Sequence, residues 1–360
     1  MSAACGPNAD AQQVHESEEH RFRVDTVATG LENPWGIAFL PGGDMLVTER
    51  AGRVRVIRNG ALQAEAVPGA PEVRARGQGG LLDIALHPRF AANRYVYLTY
   101  SKPGPIRATT AIARARFDGQ RLEGLQDLLV TDAWGTGGNH FGSRIVFDSA
   151  GMMYITVGER NERQRAQNLG DHAGTVLRLH DDGRVPRDNP FVGRAGARPE
   201  IYSYGHRNAQ GADLHPSTGE LWLNEHGPRG GDEINIARAG RNYGWPVITF
   251  GREYSGAQIT ADTARAGMEQ PVLHWTPSIA VSGMAFYTGD RFPGWRGNVF
   301  NGALAAQHLR RVVLDGNRAV HQESLLPRIG RIRTVKMGPD GYLYLLIDAP
   351  NGSVLRLVPA

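Results

Sequence analysis

Six times along the chain the same phrase returns: a short apolar strand, a turn carrying Pro, Asp or Gly, and a second strand rich in aromatic and β-branched residues. The copies read GIAFLPGGDMLVTE (36–49), LDIALHPRFAANRYVYLTY (82–100), SRIVFDSAGMMYITVGE (143–159), GADLHPSTGELWLNE (211–225), GMAFYTGDRFPGWRGNVFNG (283–302) and TVKMGPDGYLYLLID (334–348). A period of about fifty to seventy residues is too long for a solenoid of small units and suits the four-stranded blades of a β-propeller. The strands alternate or run wholly apolar, as strands buried between layers do. With 46 glycines and 21 prolines in 360 residues, the composition is that of an all-β chain with many turns. The sequence therefore predicts a six-bladed propeller of antiparallel four-stranded blades, one domain over residues 21–360, preceded by a disordered leader over 1–20. The stretch from Phe22 to Ala28 precedes the first phrase and is free to serve as an outer strand. It is expected to close the ring beside Ser353–Leu357, because closure removes exposed sheet edges.

This architecture converts scattered residues into neighbours. Each phrase is a hairpin, so the start of its first strand and the end of its second lie on one face. Gln78, Asn139, His140, Arg207, Asn208, Arg331 and Arg333 fall at or just before first strands, and Glu159, His226, Gly227 and Pro228 just after second strands. All are thus brought to one mouth of the propeller axis. The arginines with Gln78 and Asn208 suit a planar ligand bearing carboxylates, although arginines of this kind also pair with carboxylates of the fold. Gly227-Pro228 either turns backbone carbonyls towards a hard cation such as calcium or is a plain turn. His140, arriving after the glycines of GTGGNH, meets Glu159 on the same face. A carboxylate fixes the tautomer of a histidine and raises its basicity, which is the logic of a general base and its orienting partner.

Charge and cysteine usage narrow the remaining classes. The net charge is +4, and lysine occurs only at 102 and 336. The arginine excess reflects either codon bias or a need for planar cations; the arginines form no dense stripe, which argues against nucleic acid as a partner. A single cysteine, Cys5, excludes internal disulfides and cysteine metal clusters. Small residues leading into Cys5-Gly6 resemble the end of a bacterial lipoprotein signal, so that Cys5 is either a lipid anchor on an exported protein or an incidental cysteine in the leader. HESEEH (15–20) lacks the spacing that places two histidines on one helical face and is expected to be a solvated tail. No run approaches the roughly 20 apolar residues of a spanning helix. No G-x-S-x-G elbow, Walker loop or strand-borne G-x-G-x-x-G is present.

LENPWGIAFLPGGDMLVTER (31–50), GQGGLLDIALHPRF (77–90), GGNHFGSRIVFD (137–148), SYGHRNAQG (203–211), NEHGPRGGDEIN (224–235), NYGWP (242–246), AVSGMAFY (280–287) and GRIRTVKMGPDGYLY (330–344) together resemble the soluble pyrroloquinoline-quinone (PQQ) dehydrogenases. Within these, the chain is most similar to the aldose sugar dehydrogenases of the glucose/sorbosone dehydrogenase family. The resemblance implies a PQQ- and calcium-dependent enzyme that oxidises aldoses at C1 to lactones and passes electrons to an external acceptor. It implies His140 as the base that takes the C1 hydroxyl proton, with Glu159 orienting it. Gln78, Arg207, Asn208, Arg331 and Arg333 are implied to hold the quinone, and the carbonyls of Gly227 and Pro228 its Ca²⁺. Glu233 and Tyr243 match positions holding a second, structural Ca²⁺. Where the glucose enzyme has a cofactor-contacting lysine this chain reads Ala303-Leu304-Ala305, and position 226 is histidine in place of glutamine. Loops between blades are shorter, so glucose specificity and dimerisation are not implied; a monomer is expected. The competing classes are a non-catalytic propeller binding module and a calcium-dependent propeller lactonase, which needs a carboxylate-rich axial metal site.

Overall fold

In the computed structural model, which describes residues 13–360, the chain forms six antiparallel sheets, five of four strands and one of five. Blade 1 comprises Pro34–Phe39, Met45–Glu49, Arg53–Arg58 and Ala61–Leu62, and blade 2 Leu81–Leu86, Tyr95–Pro103, Ala108–Phe117 and Leu122–Val130. Blade 3 is built from Ile145–Phe147, Met153–Val157, Thr175–Leu179 and Ile201–Tyr204. Blade 4 follows with Ala209–Leu214, Leu221–Glu225, Asp232–Ala237 and Leu273–Trp275, and blade 5 with Val281–Phe286, Val299–Ala303, Leu309–Asp315 and Arg318–Leu325. Blade 6 takes Ile332–Met337, Leu343–Ile347 and Gly352–Pro359 from the end of the chain and Arg21–Leu31 from its beginning. Every repeated phrase is the inner hairpin of one blade. The expected closure is present: Phe22 pairs with Pro359, Thr26 with Leu355 and Thr29 with Ser353.

The expected leader is shorter than 20 residues. Val14–Glu16 pairs with Arg21–Arg23 as a fifth strand of blade 6. The turn between them is held by Ser17, whose Oγ accepts the His20 N–H at 2.8 Å. Glu18 docks on blade 5 through Arg311 (3.0 Å) and His321 (2.7 Å), so the acidic run that reads as a solvated tail satisfies cations of the neighbouring blade. Cys5 lies outside the described residues.

The inner strands are buried at their mouth-side ends, and VSGMAF (281–286) throughout, because neighbouring blades cover them. Glycine is required where they converge. A Cβ on Gly211 would stand 2.4 Å from the Ser282 carbonyl oxygen, and one on Gly283 2.5 Å from Thr334 Cα. Arg144 occupies the axis itself. Its Nε donates to the Gln210 carbonyl of blade 4 (2.6 Å), Nη1 faces Asp83 of blade 2 (3.4 Å), and Nη2 donates to the Arg333 carbonyl (2.8 Å) and Thr334 Oγ1 (3.0 Å) of blade 6. The guanidinium stacks over the Trp35 ring of blade 1 at 4.1 Å. Five blades thereby meet at one buried cation, which floors the mouth from which the candidate site opens.

Candidate active site

The loop Gly135–His140 enters blade 3 from the outer strand of blade 2, and its backbone is tightly fixed. His140 adopts a positive φ of 57°, unusual for a residue with a side chain. Its N–H donates to Gln78 Oε1 (3.0 Å), and Arg160 grips the carbonyls behind it, donating to Gly137 O (2.9 Å), His140 O (3.2 Å) and Asn139 O. Arg160 is fully buried and lies 3.5 Å over the Phe141 ring; burial lowers its pKa to about 10. Held in this way, the imidazole places Nδ1 2.7 Å from Glu159 Oε1. Because a carboxylate only accepts, Nδ1 carries the hydrogen and Nε2 is left as the free acceptor of the neutral ring. Burial pushes the pKa of His140 down; Glu159 opposes this, while the charges of Arg207 and Arg160 add to the lowering.

Around this pair the mouth is lined with buried polar groups that the protein itself leaves unsatisfied. Asn208 is fully buried; its Oδ1 accepts the Gly142 N–H (3.1 Å), but its Nδ2 has no partner. Arg333 donates to Gln210 Oε1 (2.9 Å) and Asp348 Oδ2 (3.1 Å), and its Nε is unpartnered, as is Glu159 Oε2. Unpaired buried donors are costly, and two of them beside a buried guanidinium fit an acceptor-rich planar anion. Arg331 is more open: its side chain is 48% exposed and stands 3.9 Å from Asp348. Asn139 contributes its backbone carbonyl to the Arg160 grip and is itself exposed.

On the blade 4 side, Arg207 is anchored by its N–H to Glu225 Oε2 (2.7 Å) and reaches the carbonyls of His226 (3.1 Å) and Gly227 (3.2 Å) with Nη1. The carbonyl of Gly227 thus points to the mouth. No Cβ fits at Gly227, since it would lie 2.0 Å from Gly230 O; Pro228 packs against Gly251. His226 donates from Nε2 to the Val281 carbonyl and is kept neutral: burial, then the charges of Arg207 and Arg333, lower its pKa to about 3. Behind Gly227 a cavity of about 10 Å³ is lined by Arg207, Glu225, Gly231, Glu233, Tyr243 and Trp245, among others. Glu233 is raised to about 8 by burial and by the charge of Glu225. A buried carboxylate, Glu225, and a half-buried one, Glu233, beside a void of single-atom size suit a hard cation. Tyr243 stacks on His206 at 4.5 Å, and its hydroxyl donates to the Ile236 carbonyl. Among the described residues no cluster of three or more His, Cys, Asp or Glu side chains is placed to hold a metal; a cation here draws on backbone carbonyls as well.

Sequence reasoning missed three functional neighbours. Arg160, Arg144 and His206 carry no motif in the sequence that singles them out. The last had a signal in its spacing. His206 Nδ1 meets Glu225 at 2.9 Å, and the pair is 19 residues apart, the same spacing as His140 and Glu159, across the same edge of the next blade.

The family model described as Glucose / Sorbosone dehydrogenase matches residues 31–356. Aldose sugar dehydrogenase YliI of Escherichia coli is 44% identical over 343 residues, spanning 93% of this chain and 92% of that protein. The crystal structure of the soluble aldose sugar dehydrogenase from Escherichia coli in its apo form superposes with a TM-score of 0.91 at 43% identity, covering 94% of this chain and 100% of that one. The PQQ-bound form of aldose sugar dehydrogenase from Streptomyces coelicolor superposes with a TM-score of 0.77 at 30% identity, covering 93% and 98% of the two chains.

Proposed function

Since the chain belongs to the glucose/sorbosone dehydrogenase family, we propose that it is a PQQ- and Ca²⁺-dependent aldose sugar dehydrogenase that oxidises the C1 hydroxyl of an aldose to a lactone. The observation that carries this reading is the His140–Glu159 pair, 2.7 Å apart, facing a mouth whose buried Asn208 Nδ2 and Arg333 Nε have no partner within the protein. A base, its orienter and unsatisfied donors for a planar anion occur together.

The chain's own residues perform four tasks. His140 Nε2 accepts the proton of the C1 hydroxyl, while Glu159 holds the Nδ1–H and stabilises the imidazolium that forms. Burial keeps His140 neutral, and so competent as a base, at pH 7. Arg207, Arg331 and Arg333 bind the carboxylates of PQQ, with Asn208 and Gln78 donating to its remaining oxygens. The carbonyls of Gly227 and Pro228 hold the Ca²⁺ that belongs to the quinone, and Glu233 with Tyr243 holds a second Ca²⁺ in the cavity behind. When bound, PQQ supplies the acceptor for the hydride leaving C1, and Ca²⁺ supplies Lewis-acid polarisation of that acceptor. The protein is a single propeller domain, acts as a monomer and is exported to the periplasm or cell surface, with Cys5 as its lipid anchor; electrons leave to an external acceptor.

Reconstitution tests the reading. After treatment with a chelator, PQQ and Ca²⁺ are added singly and together, PQQ binding is followed by absorbance, and dye reduction by a panel of aldoses. Saturable PQQ binding and activity requiring both additions are expected. Lactone hydrolysis without PQQ would instead make the protein a lactonase, and neither binding nor activity would make it a binding module.

A further inference from the structure

Several arginines around the mouth have no carboxylate partner. At the far face, Arg58 pairs with Asp44 (2.9 Å), Arg184 with Asp182 (2.6 Å), Arg238 with Glu220 (2.9 Å) and Arg318 with Asp315 (2.9 Å), whereas Arg94 and Arg291 lie over the rings of Phe90 and Tyr342. Around the mouth, Arg50, Arg74, Arg76, Arg107, Arg229 and Arg252 have no carboxylate within 4 Å among the described residues. Their placement at the mouth follows from the chain path. Arg50 follows the second strand of blade 1 and donates to Gly77 O (3.0 Å), next to Gln78. Arg74 donates to the Arg107 carbonyl (3.3 Å), and the Arg76 carbonyl packs on Gly138 of the His140 loop. Across the opening, Arg229 follows Gly227-Pro228 and its N–H donates to the Arg252 carbonyl (3.0 Å). Of the carboxylates close by, Asp348 is taken by Arg333 (3.1 Å) and Glu253 by Arg163 (2.7 Å).

The same rim carries the two most exposed large apolar side chains among the described residues, Ile106 (68%) and Tyr254 (72%). Ile106 edges a hollow of about 430 Å³ formed with Gly104, Pro105, Arg107 and Trp134, and Trp134 covers Gly104 so closely that a Cβ there would lie 2.8 Å from its ring. Arginine together with Trp, Tyr and an exposed aliphatic residue is the composition of a protein-docking surface. The collar draws on loops of blades 1, 2 and 4, on both sides of the opening, so one small anionic substrate does not account for it.

We propose that this collar is the docking surface for an acidic one-electron carrier protein, seated over the mouth with Ile106 and Tyr254 as apolar anchors. The inference rests on the dehydrogenase reading above and names its electron outlet. Oxidation of one aldose to lactone releases two electrons and two protons. Two carrier molecules in turn take one electron each and become reduced, and the protons pass to water. Unpaired arginines serve such a partner by steering its approach and selecting against cationic surfaces, an effect that weakens with salt.

The test uses the full chain loaded with PQQ and Ca²⁺, immobilised, with the acidic soluble domain of cytochrome b5 as probe and the basic cytochrome c as its counterpart. The acidic probe is expected to bind at low salt, weaken at least tenfold as salt is raised to physiological strength, and bind at least tenfold more tightly than the basic one. Arg107→Glu combined with Arg252→Glu should reduce binding at least tenfold, and Ile106→Ser should reduce it measurably, while dye-linked aldose oxidation stays within twofold. Arg184→Glu on the far face should leave binding unchanged. Absent or salt-insensitive binding of the acidic probe, equal binding of both probes, or undiminished binding by the double variant would overturn the proposal. Equal affinity for heparin or for anionic phosphatidylglycerol vesicles would do so as well. Loss of dye-linked activity in the double variant would place the arginines in the substrate site instead. Parent protein that binds the acidic probe but reduces no dye would refute sugar oxidation while leaving the docking surface in place.

Discussion

His140 is a histidine in a conformation that histidines seldom adopt, and three neighbours hold it there: Gln78 through its N–H, Arg160 through the carbonyls behind it, and Glu159 through Nδ1. If His140 is the base, His140→Ala lowers kcat/KM by about a hundred- to ten-thousand-fold with PQQ binding retained. Glu159→Gln is more diagnostic. The carboxylate raises a pKa that burial has lowered, so its removal lowers that pKa further. The acid limb of the kcat/KM profile therefore moves to lower pH while the plateau falls, because a weaker base is available over a wider range. A limb that stays in place would dissociate His140 from the proton transfer. Arg160→Lys keeps the charge but cannot reach three carbonyls at once. A displacement of the loop by about 1 Å costs of order a hundredfold in kcat, which steady-state kinetics alongside an unchanged melting temperature would register. At this scale the sequence was half legible. His140 stood out because glycines lead into it, whereas Arg160 could not, since only the folded loop brings the carbonyls of 137, 139 and 140 to one guanidinium.

Elements are joined across blades by polar links that carry a pH signature. His172, between the second and third strands of blade 3, stands 2.8 Å from Asp132 at the exit of blade 2 and 3.2 Å from Glu200 beside the last strand of blade 3. Burial lowers its pKa, but hydrogen bonds and charge from Asp132 and Glu200 outweigh this and raise it above the ordinary 6.5. Asp132 is correspondingly held at about 2; burial works against this, and His172 and Arg198 bring it down. With the folded pKa above the unfolded one, the stabilisation is complete below about pH 6.5 and is lost as pH rises through the folded value. His172→Gln should therefore lower the melting temperature at pH 5.5 and narrow the gap from the parent as pH rises above 7. A difference that grows with pH would contradict the assignment. Strand positions were readable here because each inner hairpin repeats one pattern. Val14–Glu16 was not, since HESEEH is polar in sequence; it pairs with Arg21–Arg23 next to Glu18, whose carboxylate meets Arg311 and His321 of the neighbouring blade.

The whole molecule is a ring, and the architecture and its closure were legible because six repeats leave one strand short at the end of the chain and one strand spare at its start. The axial junction at Arg144 was not, as it depends on five blades meeting at one point. The seam of blade 6 is crossed by two kinds of contact whose weights differ. Arg356 meets Asp25 at 2.9 Å with both side chains about a third exposed (32% and 28%), and such a pair contributes below about 1 kcal/mol. Phe22 is fully buried, packed edge-on against Trp295 at 5.5 Å and Phe292 at 6.4 Å from blade 5. Truncating a buried aromatic of this kind costs about 3–5 kcal/mol. Phe22→Ala should thus lower the urea midpoint strongly, and Asp25→Asn scarcely at all. Phe117→Ala supplies the contrast, because Phe117 is equally buried but lies inside blade 2, whose four strands are continuous in sequence. It should lose comparable stability without opening the ring. Only Phe22→Ala should hasten native-state proteolysis within 13–31 and hydrogen exchange along Gly352–Pro359, where detachment leaves an unpaired strand edge. Equal exchange at this strand in both variants would mean that the seam opens only with the whole fold.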